Sequence, residues 1–156
     1  DSAMRQAPDI ILVGEVRNEE EVDALLRASE TGHLTLSTMH TKSAASTINR
    51  IKSLYSGSDQ LRVLASLSDV ARGFANQVLV KDKQGGRFAV REVLSVDEEV
   101  SDLIASGDVA GIRRYQIEHE KTMEHGLADA VLRGKCTLDE ARRVSQYRGL
   151  FDSLIN

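Results

Sequence analysis

The chain has 156 residues, about the size of one domain, with 41% apolar and 28% charged residues as in ordinary globular proteins. Its formal net charge of −4 argues against a general surface for nucleic acid or anionic membranes, and no apolar run approaches the ~20 residues that span a bilayer. The one cysteine, Cys136, excludes an internal disulfide framework and a cysteine-cluster zinc site. We therefore expect a cytoplasmic protein that holds no zinc and binds no nucleic acid.

The first predicted element is a strand over residues 10–13, four consecutive apolar residues that lead through a glycine to Glu15. An apolar run without alternation indicates a parallel strand that is buried on both faces. Asn18 is a typical helix cap, and the three glutamates after it oppose the positive end of the helix dipole. We expect this helix to end at Gly32, and a second short strand then leads to His40.

These elements form a βαβ unit, whose right-handed crossover sets the two strands parallel. Parallel strands point their carboxyl ends at the same edge, where open α/β sheets bind ligands, so we expect Glu15 and His40 to lie side by side. His33 lies seven positions before His40 and begins the second strand. Because extended chain of that length spans about 23 Å, both histidines cannot contact one phosphate unless the segment turns. This spacing favours a structural or subunit-contact role for His33.

The rest of the chain predicts helices and one hairpin. The apolar spacing of a helix occurs over residues 43–55 and again over residues 59–74. A glycine pair then separates two strand-like segments, residues 76–81 and 87–94. The later pattern is wholly helical, with capping-box signatures at Ser95 and Thr137. We therefore predict half of an α/β sheet domain over residues 1–94 and a small helical subdomain over residues 95–156.

Two stretches closely resemble a known family. Residues 9–18 read DIILVGEVRN and residues 31–41 read TGHLTLSTMHT, and these are similar to the Walker B segment and the histidine box of the secretion-type traffic ATPases. The flanking residues 3–6 (AMRQ) and 46–50 (STINR) resemble the family as well. Members of this family are the hexameric motors of type IV pili, type II secretion and some type IV secretion or conjugation systems.

The resemblance implies an α/β fold, the C-terminal part of a RecA-like P-loop ATPase domain followed by a small helical subdomain. The hairpin would complete the sheet of the motor domain. The implied cofactors are ATP and Mg²⁺. The implied assembly is a homo-hexamer on the cytoplasmic side of a bacterial inner membrane, working with a membrane platform and other pilus or secretion components.

The resemblance also implies roles for individual residues. Glu15 would orient or deprotonate the attacking water, or hold a magnesium-bound water, and Gly14 would leave room for phosphate and metal. His40 would donate a hydrogen bond to the γ-phosphate. Arg17 would pair with a carboxylate near the nucleotide or communicate with a neighbouring subunit. His33 belongs to the same motif and is therefore also a candidate nucleotide contact.

The phosphate-cradling loop G-x-x-x-x-G-K-[ST] does not occur in these residues, and the chain begins with Asp rather than Met. A Walker B strand without this loop is half a nucleotide site. We therefore expect this chain to be the C-terminal part of a longer protein and to hydrolyse no ATP by itself.

Alternatives to an ATP-driven pilus motor stay open. The single cysteine excludes the four-cysteine zinc subdomain that many extension and type II secretion motors carry. The sequence that ends in Arg91-Glu92 looks more like the retraction ATPases, or like the branch of secretion and conjugation ATPases. A non-catalytic interaction module with the same fold is a second possibility. A third is a metal hydrolase with Glu15, His33 and His40 as ligands, although the strand spacing argues against convergence on one ion.

Overall fold

The computed structural model describes residues 8–156, so the predicted family flank at residues 3–6 lies outside the described residues. The strands and helices follow in the order β1 (Ile10–Val13), α1 (Glu19–Glu30), β2 (Leu34–Ser37), α2 (Ala44–Leu54), α3 (Ser58–Val70), β3 (Gly73–Lys81), β4 (Arg87–Ser95), α4 (Glu98–Ser106), α5 (Val109–Glu118), α6 (Met123–Leu132), α7 (Leu138–Val144) and α8 (Arg148–Ile155). None of these helices is both long enough and apolar enough to cross a membrane.

The predicted βαβ unit is present. Strands β1 and β2 pair in parallel, with Ile10 opposite Leu34 and the last residues of the two strands opposite each other. The side chain of Asn18 caps α1 by accepting a hydrogen bond from the backbone N–H of Glu21 at 3.0 Å. Gly32 follows the helix with a φ of +94°, a left-handed conformation that favours glycine.

The prediction that the first strand is buried on both faces is wrong for this structure. Ile10 and Leu12 are 56% and 71% exposed, and the residues opposite them on β2 are about half exposed. The other face of the pair lies against α1, where the hydroxyl groups of Ser29 and Thr35 are 2.6 Å apart. Helix α1 therefore covers one face of β1 and β2, and within residues 8–156 the opposite apolar face has no such cover.

Strands β3 and β4 form the predicted hairpin, with a tight turn that contains Gly85 and Gly86. The prediction of a helix over residues 59–74 is wrong at its end, because α3 stops at Val70 and Phe74 pairs with Leu94 in the hairpin. The apolar spacing continued past the helix because Phe74 points to the same core as the helix does.

The hairpin does not join β1 and β2 in one sheet within residues 8–156, contrary to the expectation that it completes the sheet. A groove of about 890 Å³ separates β2 from the start of β3. The hairpin instead reaches the segment after β2 through a side chain, because Asn76 donates a hydrogen bond to the carbonyl of Thr41 at 3.1 Å.

The helix caps in the second half differ in detail from the prediction. Ser95 belongs to β4, and Asp97 caps α4 by accepting from the backbone N–H of Val100 at 2.9 Å. Thr137 caps α7 as expected. The carboxylate of Glu140 does not close the capping box, because it accepts a hydrogen bond from the backbone N–H of Lys81 instead.

Two apolar cores hold the elements together. The first is shared by α1 to α5 and the end of β4, and the second lies between the hairpin and α6 to α8. The first core contains residues from both sides of the predicted boundary at residues 94 and 95, and the two-domain division stays a prediction. Phe151 and Cys136 are completely buried in the second core, and burial raises the pKa of the Cys136 thiol.

The second core supplies a test of the packing. Phe151→Ala removes a completely buried ring, and we expect the free energy of unfolding to fall by about 3–5 kcal/mol. Leu132 lies on the same helical bundle but is 73% exposed, so Leu132→Ala should change it by no more than about 0.5 kcal/mol. Urea unfolding followed by circular dichroism measures both, and equal losses would contradict this assignment of the core.

Candidate active site

The carboxyl ends of β1 and β2 are joined by two hydrogen bonds beyond the strand pairing. The hydroxyl of Thr38 donates to the carbonyl of Gly14 at 2.6 Å. The backbone N–H of Val16 donates to the carbonyl of Thr38 at 3.0 Å. These bonds hold the segments that follow the two strands side by side. Glu15 lies between Gly14 and Val16 on the first segment, and His40 lies two residues after Thr38 on the second.

Glu15, Arg17 and His40 meet at this edge. One carboxylate oxygen of Glu15 accepts a hydrogen bond from the guanidinium of Arg17, and the other lies 3.3 Å from Nε2 of His40. The Glu15 side chain is only 25% exposed, whereas the imidazole of His40 is 88% exposed. The expected juxtaposition of Glu15 and His40 is therefore present, and the exposed imidazole is open to a ligand.

The pKa of Glu15 is lowered from its ordinary value of 4.5. The largest cause is the hydrogen bond from Arg17, which partial burial opposes and the positive charges of Arg17 and His40 reinforce. The same bond raises the pKa of Arg17. Glu15 is therefore a carboxylate at neutral pH, with oxygens that accept hydrogen bonds from water or from a hydrated cation.

His33 lies at the other end of β2. Its Nδ1 is 3.0 Å from the carbonyl of Ala28 and 3.2 Å from the hydroxyl of Thr31, at the carboxyl end of α1. Within this chain the structure therefore does not bring His33 together with Glu15 and His40. These contacts agree with the spacing argument that separated the two histidines, and a nucleotide contact by His33 stays a prediction.

The space beside Gly14 is open among residues 8–156, since a Cβ atom there would meet none of their atoms within 4 Å apart from its chain neighbours. Across residues 8–156, no three His, Cys, Asp or Glu side chains come together in a way that could hold a metal ion directly. One carboxylate beside open space instead suits Mg²⁺, which keeps several of its waters and takes other ligands from substrate phosphates. The donor set therefore fits a hydrated Mg²⁺ held through Glu15, with no complete ligand cage.

Two residues with no predicted role at the site contact the segment after His40. Asn76 and Glu92 lie opposite each other in the hairpin, and both reach residues 41–44. Their signal is in the sequence, because strand alternation places each of them among apolar residues on the inward face of its strand. A polar side chain at an inward position of a strand needs a buried partner.

Several known proteins are similar to this chain. A family model described as "Type II/IV secretion system protein" matches residues 1–143. The twitching motility protein of Neisseria gonorrhoeae is 35% identical over 150 residues, which are 93% of this chain and 40% of that protein.

Two solved structures share the fold. The crystal structure of the pilus retraction motor PilT with bound ADP matches with a TM-score of 0.86 at 34% identity, over 93% of this chain and 42% of that one. The ATPase DotB of Legionella pneumophila matches with a TM-score of 0.82 at 30% identity, over 92% of this chain and 40% of that one. The chain thus spans about two fifths of the length of these proteins.

The contact between Arg17 and Glu15 predicts a measurable titration. Arg17→Ala removes the hydrogen bond, so the pKa of Glu15 should rise toward its ordinary value of 4.5. Because folding lowers the pKa of Glu15, the ionised Glu15 carboxylate stabilises the folded protein above pH 4.5. This stabilisation is lost as the pH falls through the pKa that Glu15 has in the folded protein. NMR titration of the Glu15 side-chain carboxyl carbon measures the shift. Arg27→Ala, on an exposed position of α1, is the control, and an unchanged titration in Arg17→Ala would contradict the assignment.

Proposed function

Because this chain belongs to the type II/IV secretion system protein family, we propose that it forms one edge of the ATP site of a ring-shaped motor. The observation that supports this proposal is the contact of Glu15 with Arg17 and His40 at the carboxyl ends of two parallel strands. Open α/β sheets bind ligands at this edge. The pilus retraction motor that the chain resembles binds ADP, so a nucleotide is the ligand that fits best.

Glu15 is the residue that acts on the attacking water. Its carboxylate accepts a hydrogen bond from that water and takes its proton as the water oxygen bonds to the γ-phosphorus and the bond to the ADP oxygen breaks. Arg17 holds the carboxylate in place and keeps it ionised, as the lowered pKa of Glu15 indicates. Mg²⁺, when bound, would neutralise phosphate charge, and Glu15 would hold it through a water beside Gly14.

His40 is the residue that distinguishes ATP from ADP. Its imidazole is exposed to a ligand, and its Nε2 lies on the same side as the Glu15 carboxylate. A hydrogen bond from this ring to the γ-phosphate is available with ATP and lost with ADP. His33 stabilises the junction of α1 and β2 or a contact between subunits, consistent with its bonds at the end of that helix.

The complete motor is a homo-hexamer at the cytoplasmic face of a bacterial inner membrane, working with pilus or secretion components. Residues 1–94 belong to its ATPase core and residues 95–156 to a helical subdomain. The phosphate loop comes from outside these 156 residues, because no such motif occurs within them. The similarity to both PilT and DotB favours the retraction branch and the type IV secretion branch.

Replacement of the proposed base is the direct test. Glu15→Gln keeps the size of the side chain but removes the charge that activates water, so ATP turnover of the full-length protein should fall roughly 10²-fold or more. ATP binding should stay nearly unchanged. Glu20→Gln makes the same change at an exposed position of α1 and should turn over ATP normally. Near-normal steady-state activity of Glu15→Gln would remove Glu15 from this role.

The two histidines should separate in a second experiment on the full-length protein. His40→Ala removes a hydrogen bond to a charged group, worth about 1.5–3 kcal/mol, so the preference for ATP over ADP should shrink by roughly one to two decades. His33→Ala should lower stability or the hexamer fraction and leave this preference unchanged. Nucleotide affinities and analytical ultracentrifugation measure the two effects. An equal loss of ATP preference in both variants would show that His33 also contacts the nucleotide.

A further inference from the structure

A polar pair lies in the inward face of the hairpin. Asn76 and Glu92 are directly opposite in the register of β3 and β4, and we call them the hairpin pair. Their neighbours on the same face are apolar, and Glu92 is only 4% exposed. An ionised carboxylate in such surroundings is costly unless hydrogen bonds compensate it, so the bonds it makes indicate what it does.

Both members of the hairpin pair hold the segment that follows His40. Asn76 donates from its side-chain amide to the carbonyl of Thr41 at 3.1 Å. One carboxylate oxygen of Glu92 accepts from the backbone N–H of Ala44, in the first turn of α2, at 2.7 Å. The segment from Thr41 to Ala44 is therefore fixed at both ends, and it begins one residue after His40.

The second carboxylate oxygen of Glu92 holds a different helix. It accepts from the backbone N–H of Met123, the first residue of α6, at 3.2 Å. The amino ends of α2 and α6 thus converge on one carboxylate, and their dipoles stabilise its negative charge. Among residues 8–156, no lysine, arginine or histidine forms a salt bridge with Glu92.

A glycine permits this close approach. Gly126 lies in α6, and a Cβ atom there would come within 2.8 Å of the side chain of Val90, two residues before Glu92 on β4. A side chain at position 126 would require α6, β4 or the Val90 side chain to shift. A shift of α6 would lengthen the bond from Met123 to Glu92, because Met123 belongs to the same helix.

We propose that Asn76 and Glu92 are positioning residues for His40, and that Glu92 joins the His40 segment mechanically to the helices α6 to α8. This inference rests on the proposed function for the role of His40. A shift of the His40 segment on nucleotide binding is then transmitted to α6 through one carboxylate. The reverse also holds, since displacement of α6 changes where His40 lies.

A second buried carboxylate offers a matched control. Glu124 is 1% exposed, and one of its oxygens accepts hydrogen bonds from the hydroxyl of Ser145 and from the backbone N–H groups of Gln146 and Tyr147. It stabilises the connection between α7 and α8 and makes no hydrogen bond to residues 41–44. A purely structural buried glutamate should therefore behave like Glu124.

Three variants of the full-length protein test the proposal: Glu92→Gln, Asn76→Ala and Glu124→Gln. The two helices bond to different oxygens of Glu92, and Glu92→Gln replaces one of these oxygens by an NH2 donor that would face a backbone N–H. Hydrogen exchange should therefore speed up about tenfold in residues 41–47, in residues 122–127 or in both. Asn76→Ala should speed exchange in residues 41–47 alone, which keeps the test open if Glu92→Gln does not fold. Glu124→Gln keeps one side-chain oxygen for the three hydrogen bonds of Glu124, so any faster exchange should be confined to residues 144–148.

Turnover supplies the second measurement, at a temperature where all three variants are folded. Glu92→Gln and Asn76→Ala should lower kcat about tenfold and, like His40→Ala, reduce the preference for ATP over ADP, because a misplaced His40 weakens its hydrogen bond to the γ-phosphate. Glu124→Gln should keep the wild-type kcat. Unchanged exchange in residues 41–47 in both hairpin-pair variants would overturn the proposal, as would equal kcat in all three. If the wild-type protein hydrolyses no ATP, the proposed function fails, and the exchange data still decide whether the hairpin pair fixes residues 41–44.

Discussion

The parallel pairing of β1 and β2 determines where every group at the candidate site lies. Helix α1 crosses between the strands, so both end at the same edge, with Val13 opposite Ser37. Glu15 and His40 are distant in sequence but share that edge, and the bond between Thr38 and Gly14 holds their segments together. In an antiparallel pair these two side chains would point from opposite ends of the sheet. The arrangement at this edge therefore depends first on the one crossover that sets the two strands parallel.

The sequence predicted the parts of the structure that local chemistry decides. The predicted fold class, part of a RecA-like ATPase domain, is confirmed by the match to PilT, and family membership confirms the resemblance. The cap at Asn18, the end of α1 before Gly32 and the hairpin turn follow from residue types that favour these conformations. The meeting of Glu15 and His40 followed from a general rule of parallel sheets.

The failed predictions concern contacts between segments that are distant in the sequence. The apolar run of β1 is the same whether one face or two are covered, so periodicity could not tell that Leu12 is exposed. The spacing of α3 continued into β3 because Phe74 reaches the same core from a strand. Strand alternation places the polar residue Glu92 at an inward position, but only the fold shows that its partners are the amino ends of α2 and α6.

The buried position of Cys136 has a practical consequence. Its side chain is completely enclosed in the second core, and a thiol whose pKa is raised by burial reacts slowly with maleimides and similar reagents. The native cysteine should therefore take up little thiol-reactive label. A single new cysteine on the exposed surface of α1 or α7 could be coupled to a fluorophore without first replacing the native one. Labels on two such cysteines, one in each helix, would then measure the distance between α1 and α7.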